Sequence, residues 1–333
     1  MTETVLVTGG TGYIAGWCIA DLLTRGYRVR TTVRDTARKA VVRSAVASVV
    51  DPEDRLTFAV ADLTSPAGWD AAADGVDYVL HVASPLSGAD MLTPAREGVR
   101  NVLSAAAAAG VKRVVMTSAA NTASPSSYTE AGVTDETLWT DPEDLTIIPY
   151  RRSKTVAEKA AWDFMASYDG PMTLATVLPG AVFGPILSTD SIGSVQIIKR
   201  MLKGSMPGSP RIGLEIVDVR DLVDVHIRAM TSPAAAGQRF LATGEFTWMR
   251  EMARTLHDGL GPAGAKVSTR QLPDWVVRLT SVFDKSLREI TVSLGRRNRH
   301  TTEKAERLLG WRPRPAAETV IDCAKSLIAH GVV

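Results

Sequence analysis

Two residues one helical turn apart, Tyr150 and Lys154 in Tyr150-Arg-Arg-Ser-Lys154, have the types and spacing needed for proton transfer. A separation of four places a phenol and an ammonium on one face of a helix. An ammonium beside a phenol favours the phenolate and draws its pKa from ~10 toward a range useful in acid–base work. The same ammonium can hydrogen-bond a sugar hydroxyl. Taken alone, the pair is also what an ordinary surface helix produces by chance, so its meaning depends on the rest of the chain.

The N-terminus gives that context. Residues 4–16, Thr-Val-Leu-Val-Thr-Gly-Gly-Thr-Gly-Tyr-Ile-Ala-Gly, join an apolar β-branched run to a cluster of glycines, followed by an apolar helix-spaced segment that ends at Arg25-Gly26. Strand, glycine turn and helix in this order form a dinucleotide fingerprint. Gly9 allows the tight turn, and Gly12 lets the backbone approach a pyrophosphate. Thr11, Tyr13 and Ile14 lie at the helix start, whose N–H groups and positive dipole end favour an anion. Ala15 stands at the third small position, where helix packs on strand.

These residues need a scaffold, and the hydropathy pattern describes one. Strands are expected over 27–33, 56–60, 76–82 and 111–117, with helices over 35–50, 66–73 and 94–109 between them and Gly110 as a C-cap. Strands alternating with helices imply right-handed crossovers and a parallel, doubly wound α/β sheet of Rossmann type. Residues 121–149 form a long polar segment, followed by a helix over 150–168 and a strand over 174–178. Beyond Phe183 the alternation weakens. A strand and helix over 216–230 and a strand over 239–243 return to it, and helices over 247–257, 273–280 and 301–309 do not. The expected division is a dinucleotide-binding domain, 1–182 with 214–244 contributing, and a smaller, mainly C-terminal α+β substrate-binding cap, 183–213 and 245–333.

Composition narrows the function classes. The 333 residues are 45% hydrophobic and 22% charged with a formal net charge of +2, ordinary values for a globular protein. Without a basic stripe, no nucleic-acid partner is expected, and without an apolar run of ~18 residues no membrane span is expected. Met1-Thr-Glu-Thr leads directly into the first strand, so no signal peptide and a cytoplasmic location are expected. Cys18 and Cys323 are the only cysteines, and Cys18 falls on the first helix as a small buried hydrophobe. The five histidines are scattered, so no metal is expected.

Six runs together fix a resemblance. Thr8-Gly-Gly-Thr-Gly12, Asp62-Leu63, His81-Val-Ala-Ser-Pro85, Val114-Val-Met-Thr-Ser118, Tyr150-x-x-x-Lys154 and Leu178-Pro-Gly180 occur in the order and spacing of the extended short-chain dehydrogenase/reductases. Thr32-Val-Arg-Asp35, the His81 run and Ala157-Glu158 most resemble the branch of dihydroflavonol reductases, cinnamoyl-CoA reductases and microbial aldehyde/ketone reductases. The resemblance runs from Thr4 through Val217-Asp-Val-Arg-Asp221 to Leu309-Gly-Trp311.

The resemblance implies a carbonyl reductase with a small-molecule substrate, monomeric or homodimeric. Tyr150 would protonate the carbonyl oxygen while a nicotinamide delivers hydride, and Lys154 would lower the Tyr150 pKa and hold the nicotinamide ribose. Asp62 and Leu63 would bracket the adenine, Val82, Ala83 and Ser84 would lie under the cofactor, and Pro179 and Val182 would flank the nicotinamide. One position departs from the pattern. The family motif ends Thr-Ser-Ser with the second serine catalytic, whereas this chain reads Thr117-Ser118-Ala119-Ala120. Either Ser118 takes the role because the strand has ended there, or Thr122 or Asn121 reaches in, or the role is absent; Ser118 is the expected stand-in.

Cofactor preference rests on the end of the second strand. NAD-preferring relatives place an acidic residue there to grip the adenosine ribose. Here Val33 aligns with that residue and Arg34 follows, and a guanidinium can pair a 2′-phosphate in bidentate fashion. Arg38 or Lys39 could add a second positive contact, and Asp35 is expected to cap the next helix. The expected cofactor is therefore NADPH/NADP+. His81 and His226 are expected as core histidines, Asp221 as a structural anchor, and the tryptophans, Trp275 among them, as core or cap packing. Met91, Leu92, Phe183, Ile186, Leu187 and residues 197–201 are candidates for an apolar substrate pocket. Two other readings remain open: a nucleotide-sugar epimerase/dehydratase or hydroxysteroid dehydrogenase, and a non-catalytic NADP(H)-sensing protein.

Overall fold

The computed structural model describes residues 2–84, 91–127, 131–190, 193–282 and 291–333. Its centre is a seven-stranded sheet. The strands are β1 (Thr4–Val7), β2 (Arg28–Val33), β3 (Leu56–Val60), β4 (Tyr78–His81), β5 (Arg113–Thr117), β7 (Thr173–Pro179) and β10 (Gln238–Ala242). They run β10-β7-β5-β4-β1-β2-β3 across the sheet, and every pairing is parallel. Strand order reverses between β1 and β4, which makes the crevice at their carboxyl ends the place where a ligand binds in such sheets.

Both faces of the sheet are covered, as the apolar strand runs require. Val5, Val7, Leu80 and Val115 point to one side. There they pack with residues of α1 (Tyr13–Thr24), α2 (Lys39–Ala47) and α7 (Val219–Thr231). Leu6, Val79, Val114 and Met116 point to the other, against α3 (Trp69–Ala73), α4 (Leu92–Ala108) and α5 (Pro149–Ala166). The alternation within each strand follows the two-residue period of β structure.

A third apolar cluster lies off the sheet. It joins Phe183 of β8 (Ala181–Phe183), α6 (Gln196–Leu202), Ile216 of β9 (Gly213–Asp218), α8 (Met249–Gly259), Val277 of α9 (Asp274–Thr280) and the C-terminal helix Ala316–Ala329. A small sheet, β11 (Phe246–Trp248) with β9 and β8, carries part of this cluster. A two-stranded pairing of β6 (Gly132–Thr134) with β12 (Asn298–His300) ties the polar segment to the end of the chain.

The elements differ from expectation in several places: α6, β6, β8, β11 and β12 are additional, and the helix expected over 66–73 is confined to Trp69–Ala73. The helix expected over 35–50 is a 3-10 turn, Thr36–Arg38, followed by α2; Asp35 caps the turn by accepting from the Ala37 N–H. The strand expected over 76–82 is Tyr78–His81, because Val82 already follows the turn made with Thr8. The C-terminal helix was not among the expected elements, although Val320, Cys323, Ala324 and Leu327 repeat at helical spacing. Among the described residues no helix is long and apolar enough to cross a membrane, and no cluster of His, Cys, Asp and Glu could hold a metal ion.

Candidate active site

The glycine turn is fastened on both sides. The Gly9 N–H donates to Thr32 Oγ1 at 2.8 Å and the Gly10 N–H to the Thr32 carbonyl at 2.9 Å, which ties it to β2. Thr8 Oγ1 accepts from the Val82 and Ala83 N–H groups at 3.0 Å each, which ties it to the end of β4. Gly9 has φ +74°, and a Cβ there would lie 3.0 Å from Ala83 Cβ; one at Gly10 would meet Thr31 Oγ1 at 2.5 Å. Only glycine satisfies both the conformation and the space. No side chain caps the start of α1, so its leading N–H groups are oriented for an anion. These features fit a dinucleotide. Residues 185–190 lie close over the turn: Trp17 Nε1 donates to the Pro185 carbonyl at 2.8 Å, and Arg38 pairs with Asp190 at 2.8 Å. The space between the turn and Leu187 and Ser188 is about 20 Å³.

At the end of β2, Val33 is buried and Arg34 is exposed. Asp62 closes a turn by accepting from the Thr64 N–H and hydroxyl, which hold its carboxyl below the usual range with a smaller contribution from Arg34. Arg34 and Asp62, which follow β2 and β3, are thus neighbours. Lys39 is half-buried at the start of α2. Pro85 of the His81 run lies outside the described residues.

Tyr150 and Lys154 occupy the first turns of α5, which begins with Pro149 at a position where its missing N–H costs nothing. Lys154 is buried, and burial pulls its pKa down to about 8 against an opposing pull from Glu158. Tyr150 is pushed above its ordinary value by burial alone. The sequence reading expected Lys154 to lower it; with both groups partly desolvated, burial governs the phenol instead. Lys154 reaches the end of β4, where its charge adds to burial in driving His81 down to about 3. His81 is a neutral core histidine bonded to Thr8 Oγ1 through Nδ1. His226 is another, donating from Nδ1 to the Leu222 carbonyl and bonded through Nε2 to Thr117 Oγ1, with a pKa near 4 from burial.

Ser118 does not face the crevice as its stand-in role would require. Its hydroxyl donates to Glu158 Oε2 at 2.7 Å, and it is 2% exposed. β5 ends at Thr117, but the Ser118 N–H still donates to the Val177 carbonyl at 2.7 Å, so the extended alternation carries one residue further: Thr117 turns to His226 and Ser118 to α5. Thr122 joins the same carboxylate at 2.5 Å and is fully buried. Ala119 follows in extended conformation.

Several participants carried no signal in the sequence. Arg151, inside the Tyr150–Lys154 motif, is buried and donates to the carbonyls of Asn121 and Pro125 and to Thr140 Oγ1, which pins the polar segment against α5. Glu215 on β9 accepts from Arg296 Nη2 and His300 Nδ1 at 2.6 Å each, and His300 Nε2 meets Ser124 Oγ at 2.8 Å. Serine, histidine and glutamate stand in the order of a hydrolytic relay, but Ser124 is 1% exposed and donates to the Ala120 carbonyl, which makes it a tie between β9, β12 and the polar segment. Beyond Arg296 lies a cavity of about 360 Å³ lined by Phe246, Trp248, Arg297, Arg299 and Gly132; it contains none of the expected site residues.

The apolar pocket candidates are distributed differently from expectation. Phe183, Ile186, Ile198 and Met201 are spent in the off-sheet core, and Leu187 instead lies beside Gly16, 3.5 Å from where a Cβ would stand. Pro179 ends β7 beside Ala242, and Val182 sits on β8. Asp221 is an anchor, bound by the Arg314 guanidinium at 2.8 Å. Trp275, expected as packing, is 68% exposed.

Fold and site together define a nicotinamide-dinucleotide oxidoreductase of the extended short-chain type. The chain belongs to the NAD dependent epimerase/dehydratase family, whose model matches residues 5–242. It is 36% identical over 261 residues to cinnamoyl-CoA reductase 1 of Oryza sativa subsp. japonica, covering 77% of this chain and 75% of that one. It is 34% identical over 275 residues to an anthocyanidin reductase ((2S)-flavan-3-ol-forming) of Vitis vinifera, covering 76% and 80%. Among solved structures it is similar to Gre2 of Candida albicans in complex with NADPH, with a TM-score of 0.80, 28% identity and coverage of 98% and 99%.

Proposed function

We propose that the protein is an NADPH-dependent carbonyl reductase acting on an apolar or aromatic aldehyde or ketone. The observation that carries this reading is the placement of Tyr150 and Lys154 on α5, with Lys154 electrostatically coupled to His81 at the end of β4, beside the strand that carries the glycine turn. The reductase names of the relatives support it.

Bound NADPH would supply the hydride. The protein's residues do the rest. The turn at Gly9, Thr11 and Gly12 and the start of α1 at Tyr13 and Ile14 hold the pyrophosphate. Arg34 pairs the 2′-phosphate, with Lys39 a turn away; Asp62 and Leu63 bracket the adenine. Val82, Ala83 and Ser84 form the floor, and Pro179 and Val182 flank the nicotinamide. Lys154 holds the ribose, one helical turn from Tyr150. Tyr150 donates its proton to the carbonyl oxygen. Residues 1–182 with 214–244 serve as the cofactor domain, and 183–213 with 245–333 as the cap.

Mixing the protein with NADPH, then NADH, and a panel of aryl and aliphatic carbonyls tests the reading through loss of reduced-nicotinamide absorbance. Oxidation of NADPH by at least one carbonyl is expected, and none with any carbonyl overturns it. A second reading, a cofactor-binding protein without turnover, is favoured by one observation: Ala119 stands at the catalytic-serine position and Ser118 is bonded to Glu158. Tight NADPH binding with no oxidation would establish it.

A further inference from the structure

Glu158 stands one helical turn beyond Lys154 on α5 and is fully buried. Two oxygens receive five hydrogen bonds. Oε1 accepts from Thr176 Oγ1 of β7 at 2.8 Å and Arg239 Nε of β10 at 2.9 Å. Oε2 accepts from Ser118 Oγ at 2.7 Å, Thr122 Oγ1 at 2.5 Å and Arg239 Nη2 at 3.3 Å. Arg239 is held in turn by the carbonyls of Glu136 and Leu138 at 2.6 and 3.0 Å, with its guanidinium 3.6 Å from the Trp139 ring centroid. A carboxylate saturated in this way is fixed in place and has no lone pair to spare for a substrate.

We infer that Glu158 is the positioning residue of the Tyr150/Lys154 pair: it fastens α5 to β7, to β10 and to the residue that follows β5, and serves as the electrostatic counterweight to the buried Lys154 ammonium. This rests on the proposed reductase reading for its consequence in turnover, though not for its structural content. The spacing of four puts Lys154 and Glu158 on one face of the helix. Among the described residues, Glu158 of its own helix and His81 of β4 act on or with the ammonium, and Tyr150 stands one turn before it on α5; Arg239 faces Glu158 from β10. Glu158 is the influence that opposes burial at Lys154, where burial alone would discharge the amine further. Ser118, by serving this carboxylate, is withdrawn from the crevice.

Lysine ¹³Cε NMR on the full chain without cofactor reads the ammonium directly, with the signal assigned by its loss in Lys154→Met. Lys154 is expected to titrate near 8 in the natural chain. Glu158→Gln should move that midpoint down by about one unit, and the alkaline limb of kcat for carbonyl reduction should move with it. Glu158→Asp, which keeps the charge one methylene away and is the variant to rely on should the glutamine form not fold, should shift both by less and in the same direction. A Lys154 midpoint unchanged to within about 0.3 units in a folded variant overturns the inference, even if kcat falls uniformly with pH, because only packing would then be lost. Absence of carbonyl turnover in the natural chain would sink the reductase reading and leave the NMR arm intact.

Discussion

The Ser118 hydroxyl donates to Glu158 Oε2 at 2.7 Å, on the side of the strand opposite the Thr117–His226 bond. The serine nearest to the family's catalytic position is therefore a structural tie. Ser118→Ala should leave kcat within about threefold of the natural chain. It should lower stability by about 1–2 kcal/mol, since a buried carboxylate loses one donor among five. Steady-state kinetics and chemical denaturation measure the two effects separately; a loss in kcat of about 10²-fold with unchanged stability would return Ser118 to the site.

Ala119 is the complementary position. It follows the strand in extended conformation and is 6% exposed, and a serine there adds one oxygen. Ala119→Ser is expected to raise kcat by about tenfold or more, because one well-placed donor to a developing oxyanion contributes about 10²–10³ in comparable sites. Tyr150→Phe should abolish turnover and leave the Kd for NADPH within about twofold, since the phenol's contribution is to proton transfer. Isothermal titration paired with rate measurements distinguishes these outcomes.

Arg34 is exposed at the end of β2 beside Asp62. Arg34→Gln should raise the Kd for NADPH by about 10–100-fold, the worth of a charge-assisted bidentate pair, and leave that for NADH unchanged. Equal losses for the two cofactors would remove Arg34 from the 2′-phosphate. Asp190→Asn, which frees Arg38 from its pair, should tighten NADPH by no more than a few fold, because exposed pairs of this kind are weak.

Three buried bases contribute to the pH dependence of stability with one sign. His81 and His226 have folded pKa values near 3 and 4, below the ordinary 6.5. The unfolded chain therefore binds more protons than the folded one between pH 6.5 and those values, and their contribution is lost as pH falls through that window. Lys154, lowered from 10.5 to about 8, obeys the same sign at higher pH: its burial penalty is relieved as pH rises from 8 to 10.5. Tm should fall steeply from pH 6.5 toward 4. His81→Gln should flatten that slope, and an unaltered slope would mean that His81 is not the group being charged.

Much of the sheet was legible because β1, β4, β5 and β7 are mainly apolar runs set between helical segments, while β2 shows itself by its β-branched Val29, Thr31, Thr32 and Val33. The glycine turn and the Tyr150–Lys154 spacing are local patterns, readable within a few residues. The Glu158 hub was not, since its partners Ser118, Thr176 and Arg239 lie 40, 18 and 81 residues away and each is unremarkable in its own neighbourhood. Arg151 is similar: a buried arginine inside a surface-looking Tyr-Arg-Arg-Ser-Lys run follows from tertiary carbonyls that no spacing rule encodes. The pocket candidates misled because Phe183, Ile186 and Ile198 are apolar for the sake of the off-sheet core.

The bond from Trp17 to the Pro185 carbonyl has a practical consequence. The indole belongs to the first helix after the glycine turn, and its acceptor belongs to the stretch that ends at Asp190 and presses Leu187 toward Gly16. A dinucleotide seated on the turn is expected to displace that stretch, since Leu187 and Ser188 line the space in front of Gly10, Thr11 and Gly12. The chromophore that senses this displacement is already part of the chain. Cofactor binding is therefore expected to shift the emission of Trp17, read as the difference between the natural chain and a Trp17→Phe chain, which carries the other six tryptophans as background.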